Sequence, residues 1–167
     1  MLDYYLSIPV LLFLSVLQIS IVSRIQLING SADLIILSIA AWGIHDRNRS
    51  VYFWALIGGL FISITSSMPL FTPIVPYMVV AILTQIFQTR VWQAPLISVV
   101  IVVLLGTFFQ HLFGLFVLLV DGLELDWTMA LQYVTLPTIF LNLLFLIPIQ
   151  IFFNDLRKWI TREQLYD

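Results

Sequence analysis

The sequence predicts an all-α integral membrane protein of about six transmembrane helices, with almost nothing outside the bilayer. Three observations predict it. Hydrophobic residues occupy 61% of the 167 positions and charged residues only 10%, against roughly 25% charged in a soluble domain. Mean hydropathy is +1.06. The apolar residues fall in runs separated by short polar or Pro-rich links, and about 20 such residues cross a bilayer. No stretch is left for a soluble catalytic domain, so the chain reads as one membrane domain over residues 1–167.

The first span covers about residues 4–23 and stops at Arg24. Asp3 rather than a basic residue precedes it, and no small-x-small pattern follows, so it reads as a retained span and not a cleaved signal. A polar hairpin follows from Gln26 to Ser31, with Asn29-Gly30 as the turn-forming pair. The second span, about 33–45, is short for a crossing. Asp33 lies in its first turn, where a carboxylate suits the helix dipole. The third span, about 51–68, carries Gly58 and Gly59 and then the polar series Ser63, Thr65, Ser66 and Ser67. A Pro-rich link from Pro69 to Pro76 leads to the fourth span, about 74–89. The fifth covers 95–120. The sixth, about 128–153, is interrupted by Pro137 and Pro148, and residues 154–167 form a basic tail lying at the interface.

Charge predicts the orientation. With this span count the termini share a side with Arg47, Arg49, Arg90, Arg157, Lys158 and Arg162, and Arg24 alone falls opposite. The excess of basic residues then places both termini in the cytoplasm and the acidic loop Asp121, Glu124, Asp126 outside. Trp42, Trp54, Trp92, Trp127 and Trp159 all stand near span ends, as an interfacial aromatic belt does.

The chemistry-bearing residues are few. There is no Cys, so neither disulfides nor thiolate chemistry is expected, and no basic tract points to nucleic acid. His111, beside Gln110, lies inside the fifth span. With no matching carboxylate in any span, it reads as a neutral side chain bonded to a neighbouring helix. Gln18, Gln85, Asn142 and Gln150 read as hydrogen-bonding glue between helices. A serine or aspartyl intramembrane protease, a metal-dependent lipid-phosphate transferase and a proton-coupled pump each need groups missing from the spans. No enzyme activity, cofactor or metal is expected.

Two stretches resemble the bacterial rod-shape-determining MreD family. The first is Ser31-Ala32-Asp33-Leu34-Ile35-Ile36-Leu37, where the family carries Arg-Pro followed by Asp or Asn and then an apolar helix. Asp33 takes the acidic position, and Ser31 and Ala32 replace Arg-Pro. The second runs from Gly59 to Leu70. Gly59, Ser66, Pro69 and Leu70 match the family pattern, whereas Ser63 stands where it has Asp, and Ser67 and Phe71 stand where it has Gly. The resemblance implies a fold like the membrane-embedded substrate-binding component of energy-coupling-factor vitamin transporters. It also implies a role in lateral peptidoglycan synthesis beside an MreC-like single-span protein, MreB, RodA and a class B penicillin-binding protein. Asp33, Gly58, Gly59, Ser63, Ser66, Pro69 and Leu70 become candidates for family-motif or partner contacts, with spans three and four seating a partner helix.

The competing class is the vitamin-binding subunit itself. It would need a polar, aromatic-lined pocket near the outer face, and it usually carries Ala-x-x-x-Ala on its first helix. The first span here contains no Ala.

Overall fold

The computed structural model describes residues 2–45, 49–90, 95–123 and 126–163. Arg47, Trp92, Glu124 and the end of the tail, 164–167, lie outside the described residues. Helix α1 (Leu2–Ser20) closes in a tight 3-10 turn, Val22–Arg24. A small antiparallel hairpin follows, β1 (Gln26–Leu27) and β2 (Gly30–Ser31), pairing Gln26 with Ser31 and Leu27 with Gly30. Helices α2 (Leu34–Gly43), α3 (Val51–Thr65), α4 (Phe71–Arg90) and α5 (Pro95–Val120) come next. The last rod joins α6 (Trp127–Ala130), a π turn (Leu131–Thr135) and α7 (Leu136–Glu163).

Among the described residues, four helical stretches are long and apolar enough to cross a membrane: Tyr4–Arg24, Phe71–Gln88, Pro95–Val120 and Trp127–Ile160. The chain is therefore a multi-pass, all-α membrane protein. The two shorter helices do not match full crossings. At about 1.5 Å per residue, α2 is about 15 Å long and α3 about 22 Å, against a hydrocarbon core of about 30 Å. The shortness of α2 has a structural purpose. Every residue of α2 is buried, and it packs against α1, α3, α4, α5 and α7. It is a half-length central helix enclosed by its neighbours.

Large rings pack together at the C-terminal end of α2. Trp42 and Trp54 stack at 4.8 Å, and Phe153 meets both edge-on. Trp42 Nε1 donates to Ser50 Oγ at 3.1 Å, and the Arg157 guanidinium lies over the Trp42 ring. Trp42 is 5% exposed and Trp54 0%. These two are core residues, which corrects the expectation of a belt. Trp127 and Trp159 are exposed, as interfacial anchors are.

Three further expectations change. The prolines Pro73 and Pro76 do not form a link, because α4 already begins at Phe71. Proline is tolerated in a first turn, where the N–H it lacks would be unpaired anyway, and Pro76 is carried just beyond it. Residues 154–163 are not a separate tail, since α7 runs through Pro148 to Glu163 and carries an Asp155–Lys158 pair at 3.1 Å. The hairpin does not turn at Asn29-Gly30 either. Its loop is Ile28-Asn29, with Ile28 in the left-handed region at φ 58°. Gly30 is needed for a different reason: a Cβ there would meet the Thr138 backbone nitrogen at 2.6 Å.

Candidate functional site

The N-terminus of α2 ends inside the bundle, where its backbone donors cannot reach water. Each one finds a side chain. Asp33 is the N-cap, and its Oδ1 accepts from the N–H groups of Ile35 (2.9 Å) and Ile36 (3.1 Å). Leu34 N–H donates to Gln18 Oε1 at 2.8 Å, while Gln18 Nε2 donates to the Ala32 carbonyl at 2.7 Å. Asp33 N–H donates to Asn142 Oδ1 at 2.7 Å, and Asn142 Nδ2 passes on to Thr107 Oγ1 at 2.8 Å. One helix end thus ties together α1, α5 and α7.

The other carboxylate oxygen of Asp33 faces a different set. Its Oδ2 accepts from the Tyr77 hydroxyl at 2.8 Å and from Gln110 Nε2 at 2.9 Å. Asp33 is 8% exposed and has no ion-pair partner among the described residues. A bare buried carboxylate would be very costly in lipid. Four hydrogen bonds, two from backbone and two from side chains, replace its hydration. The expectation that the spans hold no carboxylate is corrected here. In the sequence Asp33 falls in an end turn of its span, and the hairpin draws that turn into the interior.

Beside this network lies a cavity of about 400 Å³. Its walls include Gln18, Asp33, Ser66, Tyr77, Gln110 and His111, drawn from α1, α2, the end of α3, α4 and α5. Asn29 and Thr65, both exposed, also line it, so it reaches the surface at the end of the bundle where α1, α3 and α5 finish. His111 Nδ1 lies 3.3 Å from Thr135 Oγ1 on the neighbouring rod, the inter-helix bond expected of it. A second cavity of about 440 Å³ adjoins the first. The two share Ile62, Ser66, Gln110, His111 and Val134, and the second continues past Met68, Leu115 and Leu118.

Comparison with protein-family models, with curated proteins and with solved structures finds no match to this chain.

The candidate residues divide by position. Gly58 lies against Ile35 of α2, and a Cβ on Gly59 would stand 2.9 Å from the Ile74 Cα of α4. Ser63 is buried, with its hydroxyl between the carbonyl oxygens of Gly59 (2.7 Å) and Leu70 (2.8 Å). These three therefore face the chain's own helices and not a partner. Ser66 ends α3 and lines both cavities, and its Oγ accepts from Met68 N–H at 3.1 Å. Pro69 is half-buried, and Leu70 is 63% exposed.

Of the four glue residues, Gln18 and Asn142 bond between elements as expected, and Gln85 Nε2 reaches the Gly43 carbonyl at 3.5 Å. Gln150 does not fit the pattern, because its Oε1 is buried without a partner among the described residues. Sequence reasoning missed Tyr77 and Thr107. The signal for Tyr77 was a phenol within an apolar span, a group that must find a partner when buried. Among the described residues there is no group of three or more acidic or His side chains placed to hold a metal.

Proposed function

We propose that this chain is a non-enzymatic, multi-pass subunit of the bacterial elongation machinery for lateral peptidoglycan synthesis, the role that its resemblance to MreD implies. One observation carries the reading. The two stretches that bear the resemblance are separate in sequence but meet in space: Asp33 and Ser66 line the same cavity, and Gly59 and Ser63 fix the corner between α3 and α4 beside it. A chance likeness between short apolar motifs carries no expectation of such convergence.

In this reading the protein lies in the cytoplasmic membrane with both termini inside, and α2 and α3 complete six crossings with help from their flanking turns. The resemblance implies a fold like that of the vitamin-transporter substrate-binding component. Arg49, Arg157 and Lys158 lie toward the end opposite the cavity, which agrees with a cytoplasmic placement of that end. The partner is an MreC-like single-span protein, in an assembly with MreB, RodA and a class B penicillin-binding protein. With Gly58, Gly59 and Ser63 engaged internally, its helix would seat on the outward face of the same corner, at Ile64, Leu70 and Phe71, which are 77%, 63% and 52% exposed. Close packing supplies the association, since lipid gives no hydrophobic drive.

A second reading, the vitamin-binding subunit of an energy-coupling-factor transporter, is favoured by the polar cavity itself. Purification of the tagged protein from native bacterial membranes, with its companions identified by mass spectrometry, separates the two. A single-span protein with an extracytoplasmic coiled coil supports the first reading, and its loss with Ile64→Trp or Leu70→Trp locates the contact. An energy-coupling membrane subunit with ATPases overturns the first reading in favour of the second.

A further inference from the structure

The cavity beside Asp33 holds a combination that a purely structural network does not need. A carboxylate without an ion-pair partner among the described residues sits in its wall. Gln110 is anchored to that carboxylate through Nε2, yet its Oε1 is buried and has no partner among the described residues. The group offered to an occupant is therefore the Asp33 carboxylate, with Gln110 bonded behind it. Gln18, Ser66 and the His111 ring stand around them. The chemistry that answers this is a cation bearing N–H donors. A quaternary ammonium has the charge but no hydrogen to donate to the carboxylate.

The shape adds a second constraint. The polar cavity adjoins the second, whose further lining is mostly apolar, with Met68, Pro73, Leu115 and Leu118 beside Thr72 and Thr135. The two adjoining spaces together are polar at one end and largely apolar at the other. They lie inside a bundle whose outer surface faces acyl chains. An amphiphile fits such a space better than a compact polar solute.

We propose that this space binds a primary ammonium group, carried by the headgroup of an aminophospholipid. Asp33 supplies the counter-charge and accepts one N–H, and the largely apolar extension takes the start of an acyl chain. The inference rests on the cavity alone and holds whichever partner assembles with the chain.

The test uses the full-length protein in nanodiscs and detergent. Native mass spectrometry would compare retention of phosphatidylethanolamine with phosphatidylcholine of the same chains, with free ethylammonium as competitor. The expected result is a preference for phosphatidylethanolamine of roughly tenfold, the scale of a charge-assisted hydrogen bond, lost in Asp33→Asn. Thr65→Trp is the second variant. Thr65 is exposed at the cavity's edge and makes no bond to Asp33, so the bulky ring narrows the cavity while the network stays whole, and it decides the matter if Asp33→Asn does not fold. Competition by millimolar ethylammonium, with no preference between the two lipids, would keep the ammonium site but make its source a soluble amine. Equal retention of both lipids by wild type and Thr65→Trp, with no effect of ethylammonium, would overturn the proposal.

Discussion

The hydroxyl of Tyr77 donates a 2.8 Å hydrogen bond to Oδ2 of Asp33, joining positions 44 residues apart. Tyr77 is 1% exposed and Asp33 8%, so the bond is made inside the bundle. Tyr77→Phe keeps the ring and removes the donor. A hydrogen bond to a charged group contributes about 1.5–3 kcal/mol, and that loss is expected on unfolding in mixed micelles. A double-mutant cycle with Asp33→Asn should then show coupling of about 1 kcal/mol or more. Simple additivity of the two losses would mean that this bond contributes nothing specific.

The membrane character, most helix positions and the bonding roles of Gln18 and Asn142 were legible in the sequence, because each follows from local composition. What was not legible depends on depth. Asp33 sits at a span end in sequence and inside the bundle in structure, since the hairpin Gln26–Ser31 folds it inward. Trp42 and Trp54 have the spacing of a belt but stack on each other inside the bundle, a contact between α2 and α3 that only the fold makes. Gly58 and Gly59 announce close packing in the sequence, and only the fold shows that the approaching helices are the chain's own.

Pro137 explains how the hairpin is held. Lacking an N–H, it leaves the Tyr133 carbonyl without its usual helical donor, and Asn29 N–H takes that place at 3.2 Å. The π turn Leu131–Thr135 lies just before the proline. In Pro137→Ala a helical N–H competes for the same oxygen. Hydrogen exchange of the peptide spanning residues 26–31 is expected to quicken. Unchanged protection would assign the anchoring to the Gly30 contact alone.

The glycines separate by what stands against them. A Cβ on Gly59 meets backbone of α4, which cannot rotate aside, so Gly59→Ala should cost about 1–3 kcal/mol through overpacking. Gly114 lies within α5, and a Cβ added there would have nothing within 4 Å. Gly114→Ala should be neutral or stabilising by up to about 1 kcal/mol, as helix propensity dictates. Thermal unfolding of the two variants side by side checks this, and equal effects would contradict the packing at the α3–α4 corner.

His45, two residues past the end of α2, gives a pH signature. Burial first, and then the nearby Arg157 charge, push its imidazole down from 6.5 to about 4, with a hydrogen bond at the Ala41 backbone opposing them in part. The folded chain keeps His45 neutral while the unfolded chain takes up a proton. The stability associated with the neutral ring is therefore complete above about pH 6.5, falls as the pH drops, and is lost below about 4. Relative to wild type, His45→Gln should flatten this part of the stability profile. Parallel profiles from pH 7 to pH 4 would rule out His45 as the source.

Ser63 stands where the resemblance expects Asp, and its surroundings state what this position tolerates. Its hydroxyl hydrogen is shared between two carbonyl oxygens, those of Gly59 and Leu70. Both are acceptors, so the site asks for a donor. Ser63→Ala removes the donor and should cost about 1 kcal/mol. Ser63→Asn brings an amide N–H that can replace the hydroxyl, limited by its larger volume. Ser63→Asp places an ionised carboxylate against two carbonyl oxygens with no hydrogen between them, an uncompensated buried charge that is costlier than the alanine. The expected order of stability is wild type, then alanine or asparagine, then aspartate. An aspartate variant as stable as wild type would mean that the α3–α4 corner rearranges to give the carboxylate donors of its own.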